Sequence, residues 1–151
     1  MSVRLNGKLL LVSVILLMAT FTTIFRSNDV NADQITGRKL TLQAGTTDGG
    51  SMPGGVVRHQ FDFTIPTTGS VGSIKFEYCT TASGGTCTTP TGLVTTAATL
   101  TNQTGTTGFT INNTTNGAPY ITRAAASASG AVSYQLSNIT NPTTTNYTFF
   151  V

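Results

Sequence analysis

Apolar and polar residues alternate one by one from Val57 to Ile65. Val57, His59, Phe61, Phe63 and Ile65 share one face, and Arg58, Gln60, Asp62 and Thr64 the other. A period of two over this length predicts a strand buried on one side. The same pattern sets Ile74, Phe76 and Tyr78 against Ser73, Lys75 and Glu77, just before Cys79. Lys39 to Ala44 aligns Leu40, Leu42 and Ala44, and Phe109 to Asn112 aligns Phe109 with Ile111. Pro119 to Arg123 begins a strand around Tyr120 and Ile121, and Val132, Tyr134 and Leu136 alternate cleanly. Tyr147, Phe149 and Val151 alternate again, while Leu93 to Leu100 predicts a Thr/Ala-rich strand of weaker pattern. Turn chemistry separates these runs: the Gly-rich loop Gly45 to Gly55, a turn from Pro66 to Gly72, Pro90 with Gly92, and the tight-turn pair Asn116-Gly117. Ala124 to Gly130 reads as an alanine/serine linker. No apolar stripe of helical period occurs after residue 32. About seven short strands predict an all-β, antiparallel two-sheet immunoglobulin-like sandwich. Its core is expected to join Phe61, Phe63, Ile65, Ile74, Phe76 and Tyr78 to Leu40, Leu42, Tyr134 and Leu136.

The first 32 residues have a different character. Arg4 and Lys8 precede the uncharged, largely apolar run Leu9 to Phe25, and Val30-Asn31-Ala32 fits the small-x-small rule for signal peptidase. Cleavage between Ala32 and Asp33 is expected. The competing reading is a retained N-terminal signal-anchor helix, for which Leu9 to Phe25 is at the short end of what crosses about 30 Å of hydrocarbon. Either way the rest, 33–151, is read as one exported domain, secreted or held at the cell surface. This leader also carries most of the +3 net charge. Beyond it, Arg38, Lys39, Arg58, Lys75 and Arg123 face Asp33, Asp48, Asp62 and Glu77, which leaves +1 and no argument for nucleic acid.

Export and only two cysteines predict a Cys79–Cys87 disulfide, a local staple at the edge of the fold. A metal centre would need more ligands than a single histidine supplies. His59 lacks the second histidine, G-x-S-x-G motif or paired acids that catalysis requires, and is read as a hydrogen-bonded or edge residue. Asp62 and Glu77 fall on polar faces, without the converging oxygens that calcium needs. A self-formed amide crosslink would draw on Lys39, Asn146 and one of those acids, but Lys39 is out of phase with Leu40 and Leu42. Asn102, Asn112, Asn113, Asn138 and Asn146 each begin N-x-[ST], as composition alone produces in a chain so rich in Asn and Thr.

Three pieces together carry a resemblance: Val71 to Cys79, its continuation through Cys87-x-x-Pro90-x-Gly92-Leu93, and Ile139-Thr140-Asn141-Pro142 before Tyr147 to Val151. They resemble a group of exported immunoglobulin-like β-sandwich surface proteins of small-genomed, host-associated bacteria, over roughly Gln60 to Val151. The resemblance implies a location and an architecture, and no activity. It also implies that the chain continues past the last aromatic strand.

The resulting expectation is a non-enzymatic surface module, structural or adhesive, that needs no cofactor. Its partner would be a surface ligand or a neighbouring subunit, met through loops Gly45 to Gly55 and Thr80 to Thr86. The alternative is a secreted carbohydrate-binding module or a fragment of a carbohydrate-active enzyme, for which Asp62 and Glu77 form the candidate acid pair. Tyr147, Phe149 and Val151 open a core strand where the sequence stops. That suggests a truncated reading frame, or an edge that accepts a strand from a neighbouring subunit.

Overall fold

Five strands make one antiparallel sheet: β1 (Thr36–Gln43), β2 (Val56–Lys75), β3 (Thr99–Thr104), β4 (Thr110–Asn112) and β5 (Tyr120–Thr140). The order is β1-β2-β5-β3, with β4 also paired to β5. The computed structural model describes residues 34–44, 50–82, 85–144 and 149–151, which belong to the compact unit Asp33–Val151. Among them the structure is all-β, with no helix. The leader with Leu9 to Phe25, the Ala32/Asp33 cleavage point, Asp48, Asn146 and Tyr147 lie outside the described residues.

The sheet has fewer and longer strands than the hydrophobic pattern implies. The run Val57 to Ile65, the expected turn at Pro66 to Gly72 and the first residues of the next run, Ser73 to Lys75, are one strand, β2. Likewise, Ala124 to Gly130 is no linker but the middle of β5. The cause is visible in the register. Ile65 pairs with Gly130 and Gly69 with Ala128, so Pro66, Thr67 and Thr68 stand opposite Ser129 alone. A bulge of this size absorbs a proline, which has no N–H to give to the ladder, and bends both strands without ending the pairing. Residues 66–70 and 124–127 are exposed, so this stretch has no buried face to write an alternation into the sequence.

Past the bend the sheet closes over itself. The Phe61 and Phe76 rings lie 4.3 Å apart, and the His59 and Tyr78 side chains meet at 2.8 Å, so the end of β2 and the residues after it return over its beginning. The ladder runs on beyond β2, with Phe76 and Tyr78 donating their N–H groups to the carbonyls of Pro119 and Gly117. Between the two halves lie Phe61, Phe63, Phe76, Tyr78, Leu93, Phe109, Ile121, Val132, Tyr134, Leu136 and Ile139, with Leu40, Ile65, Ile74 and Phe149 packed against them. The expected core is therefore present except for Leu42, which is half-buried and not part of the cluster. The rings meet edge-on or tilted, as their quadrupoles favour.

Leu93 to Leu100 is not one strand. Val94 forms an isolated bridge with Thr140, a turn closes from Thr95 to Ala98, and β3 begins only at Thr99. Leu93, Thr95 and Ala98 all point inward at uneven spacing, which is why the run shows so weak an alternation.

Cys79 and Cys87 are bonded, and neither belongs to the core cluster. Cys79 follows Tyr78 on the opposite face of the chain, as the parity of the strand requires. On its other side Cys79 pairs with Phe150, each residue's N–H donating to the other's carbonyl. Phe149 turns inward against the rings of His59 and Tyr78, as the alternation of the last residues predicts.

Candidate functional site

His59 is fully buried, at 0% exposure, on the inner face of β2. Its Nδ1 lies 2.8 Å from the Tyr78 hydroxyl and its Nε2 3.1 Å from Asn141 Oδ1. The Asn141 amide nitrogen donates to the carbonyls of Gly50 (2.7 Å) and Met52 (3.0 Å). Those two bonds fix which end of the Asn141 amide is oxygen, and so fix the histidine tautomer. Nε2 carries the proton and donates to Asn141, while Nδ1 accepts from the Tyr78 hydroxyl. Every donor and acceptor is used once by a neutral imidazole. An imidazolium would point a second N–H at Tyr78 and leave its hydroxyl proton without an acceptor. Burial, the dominant cause, lowers the His59 pKa to about 4, against the smaller opposing effect of the Asn141 bond. Burial also raises the Tyr78 hydroxyl well above its ordinary value. The arrangement is a closed polar knot that ties the Gly50–Met52 loop to β2 and to the segment after β5. It is no edge histidine, and no open face of it reaches solvent.

In the sequence Asn141-Pro142 stands out only as part of the Ile139 to Pro142 segment before the last aromatic run, with no signal that Asn141 and His59 meet across 82 positions. Gly54 N–H also bonds the Pro142 carbonyl, and Asn141 N–H the Gly55 carbonyl. The loop end that carries Met52, which is 63% exposed, is thus held rigidly to the sheet.

Two further knots hold the fold. Asn116 accepts from Thr95 N–H (2.8 Å) and donates to the Leu93 carbonyl (2.9 Å), while buried Thr95 accepts from Gly117 N–H (2.8 Å). Gly117 has φ 76°, and a Cβ there would lie 2.4 Å from Thr89, so this turn requires glycine twice over. Arg123 clamps the bend. Its guanidinium donates to the carbonyls of Val71, Thr107, Ala126 and Ser127 and lies 4.8 Å from the centre of the Phe109 ring.

The acids do not assemble. Asp62 accepts two bonds from Gln60, and Glu77 pairs with Lys75 at 2.8 Å. Phe61 and Phe76 meet through the core, so Asp62 and Glu77, one position further along, leave the molecule on opposite outer surfaces. Glu77 stands near Cys79 and Cys87, but those sulfurs are bonded to each other and offer no thiolate to a metal. Of the glycosylation-type asparagines, Asn102 and Asn138 are exposed, whereas Asn113 spends its amide on the carbonyls of Thr96 and Ala98.

The outer face of the sheet is a polar row crossing four strands. Gln43 donates to Gln60 (3.2 Å), Gln135 to Gln43 (2.8 Å) and Thr101 to Gln135 (3.0 Å). Where the row reaches β3 it borders a groove of about 370 Å³. Comparison with protein-family models, with curated proteins and with solved structures finds no match for the chain.

Proposed function

We propose that the chain is an exported, non-enzymatic surface-recognition module, an immunoglobulin-like sandwich built by folding one long sheet over itself. The observation that carries this reading is the division of labour among polar side chains. The buried ones, His59, Tyr78, Thr95 and Asn141, together with Asn116 at the surface, are consumed in holding loops to the sheet. Those facing outward form a continuous hydrogen-bonding row of Gln43, Gln60, Gln135 and Thr101, flanked by Asp62 and Arg58. The disulfide is the chemistry of an oxidising compartment, which fits a leader ending at Ala32. Exposed Met52 on a pinned loop and exposed Phe150 beside the disulfide offer contact points at the loop ends. The separation of Asp62 from Glu77 weighs against the glycosidase alternative, in which two carboxylates must flank one bond.

The test is to produce the full chain with an intact export route and follow the product. It should begin at Asp33 or remain on the outer membrane face, with no free thiol, and a labelled sample should be retained on cell surfaces. A reduced, full-length product confined to the cytosol would overturn the reading. So would turnover of glycoside substrates that is lost in Asp62→Asn or Glu77→Gln.

A further inference from the structure

Two irregularities of the sheet converge on one spot of its outer face. In β5, Ser137 and Asn138 stand together opposite Arg58, since Val57 pairs with Ile139 and His59 with Leu136. In β3, Thr101 is the extra residue, since Leu100 pairs with Leu136 and Asn102 with Gln135. Asn138 has φ 60°, which no other non-glycine residue among the described ones shares. Asparagine adopts this conformation more readily than other non-glycine residues, so Asn138 accommodates the bulge, and bulges are over-represented where a strand is re-aimed beside a site. Here they open the groove lined by Val56, Arg58, Thr99, Thr101, Ser137 and Asn138.

The lining specifies a chemistry. Arg58 is its one charged group, and among the described residues no acid pairs with it: the ion pair there is Lys75–Glu77. A guanidinium presents a planar fork of donors that matches a carboxylate. Around it stand the Thr99 hydroxyl and the Asn138 amide, and beneath them the Thr101–Ser137 hydroxyl pair, 2.9 Å apart, in which Ser137 is 8% exposed and Thr101 also donates to Gln135. Such groups both donate and accept, as vicinal hydroxyls of a sugar require. Val56, 66% exposed, supplies a small apolar surface at the rim for a ring's C–H face. The volume is at the low end for ligand sites, enough for a sugar residue and too little for a folded partner.

We infer that this groove binds an acidic sugar, a hexuronic or sialic-type residue whose carboxylate meets Arg58 and whose hydroxyls meet Thr99, Thr101, Ser137 and Asn138. The inference deepens the surface-recognition reading by naming what the surface recognises. It places the contact on the sheet face, away from the loop ends.

The full chain, produced by export, is titrated with a glucuronate-containing tetrasaccharide, sialyllactose, their neutral counterparts and acetate, with amide shifts followed by NMR. Expected is saturable binding of an acidic saccharide, with shifts centred on Arg58, Thr101 and Asn138. The neutral counterpart and acetate should each be weaker by about tenfold or more, and so should binding to Arg58→Gln. Because Arg58 faces outward, Arg58→Gln should keep the parent's thermal midpoint; Thr101→Val provides a second, neutral variant that weakens the same binding. The inference fails if the neutral sugar binds as tightly, if acetate alone accounts for the shifts, if Arg58→Gln binds like the parent, or if no acidic saccharide binds. Retention on cells reads the broader function separately. Retention that survives Arg58→Gln sinks the groove and spares the module, whereas sugar binding without retention does the reverse.

Discussion

At the scale of single residues, the informative side chain is His59, because its environment has room for one protonation state only. Its pKa is lowered from 6.5 to about 4 on folding, so between those values the unfolded chain holds a proton that the folded chain does not. Stability is therefore full above pH 6.5 and is lost as pH falls towards 4, where the loss levels off. The difference corresponds to about 3 kcal/mol. Denaturant titrations at pH 7.5 and pH 4.5 should show that fall, and His59→Gln should flatten it. An equally steep profile in the variant would place the effect on other groups. Asn141→Ala removes the bond that sets the tautomer and also releases the carbonyls of Gly50 and Met52. It should cost about 2–4 kcal/mol, read as a lower denaturation midpoint. The alternation put His59 on the inner face, and in that sense its burial was legible. Its partners were not, because a hydrogen bond between positions 59 and 141 leaves no trace in local pattern.

Among the elements, the bend shared by β2 and β5 repays most study. The bulge at Pro66 to Thr68 and the open conformation of Gly130 (φ 82°) allow it, and Arg123 holds it by gathering four carbonyls from three segments. Lysine has neither the planar fork nor the number of donors to do this. Arg123→Lys should therefore lose about 2 kcal/mol and raise amide exchange at residues 69–72 and 125–128 ahead of the rest of the sheet. Uniform exchange would mean that the bend holds itself. The ends of both strands were legible because one side of each is buried: Phe61 and Phe63 in one, Tyr134 and Leu136 in the other. Their middles were not, because residues 66–70 and 124–127 are exposed and the one buried position, Ala128, is too small and isolated to write an alternation. The groove escaped notice for a related reason. A bulge is an offset between two strands, and a single strand's sequence records only half of it.

For the molecule as a whole, the core and the crosslink carry different shares. Phe76 touches both Phe61 and Tyr134 across the fold, so Phe76→Ala should cost about 3–5 kcal/mol and leave little folded chain at 37 °C. Cys79→Ser opens a nine-residue ring worth about 2.6 kcal/mol by loop entropy. Its effect should centre on residues 79–88, with the core ring contacts intact by NMR; loss of those contacts would make the bond a keystone of the whole sheet.

The long pairing of β2 with β5 also fixes the order in which the chain can assemble. Lys75 pairs with Tyr120 and Val56 with Thr140, so the two strands form one extended hairpin closed by segment 76–119. Only the first contact, near Ile74 and Ile121, has to close that loop; every later pair adds beside one already made, like teeth on a fastener. The Cys79–Cys87 ring shortens the loop by too little to matter, about 0.2 kcal/mol in closure entropy. The chain should accordingly reach its native sheet at nearly the same rate with its cysteines reduced as with them joined. On the proposed export route, the unfolded chain would not need to wait for its oxidant.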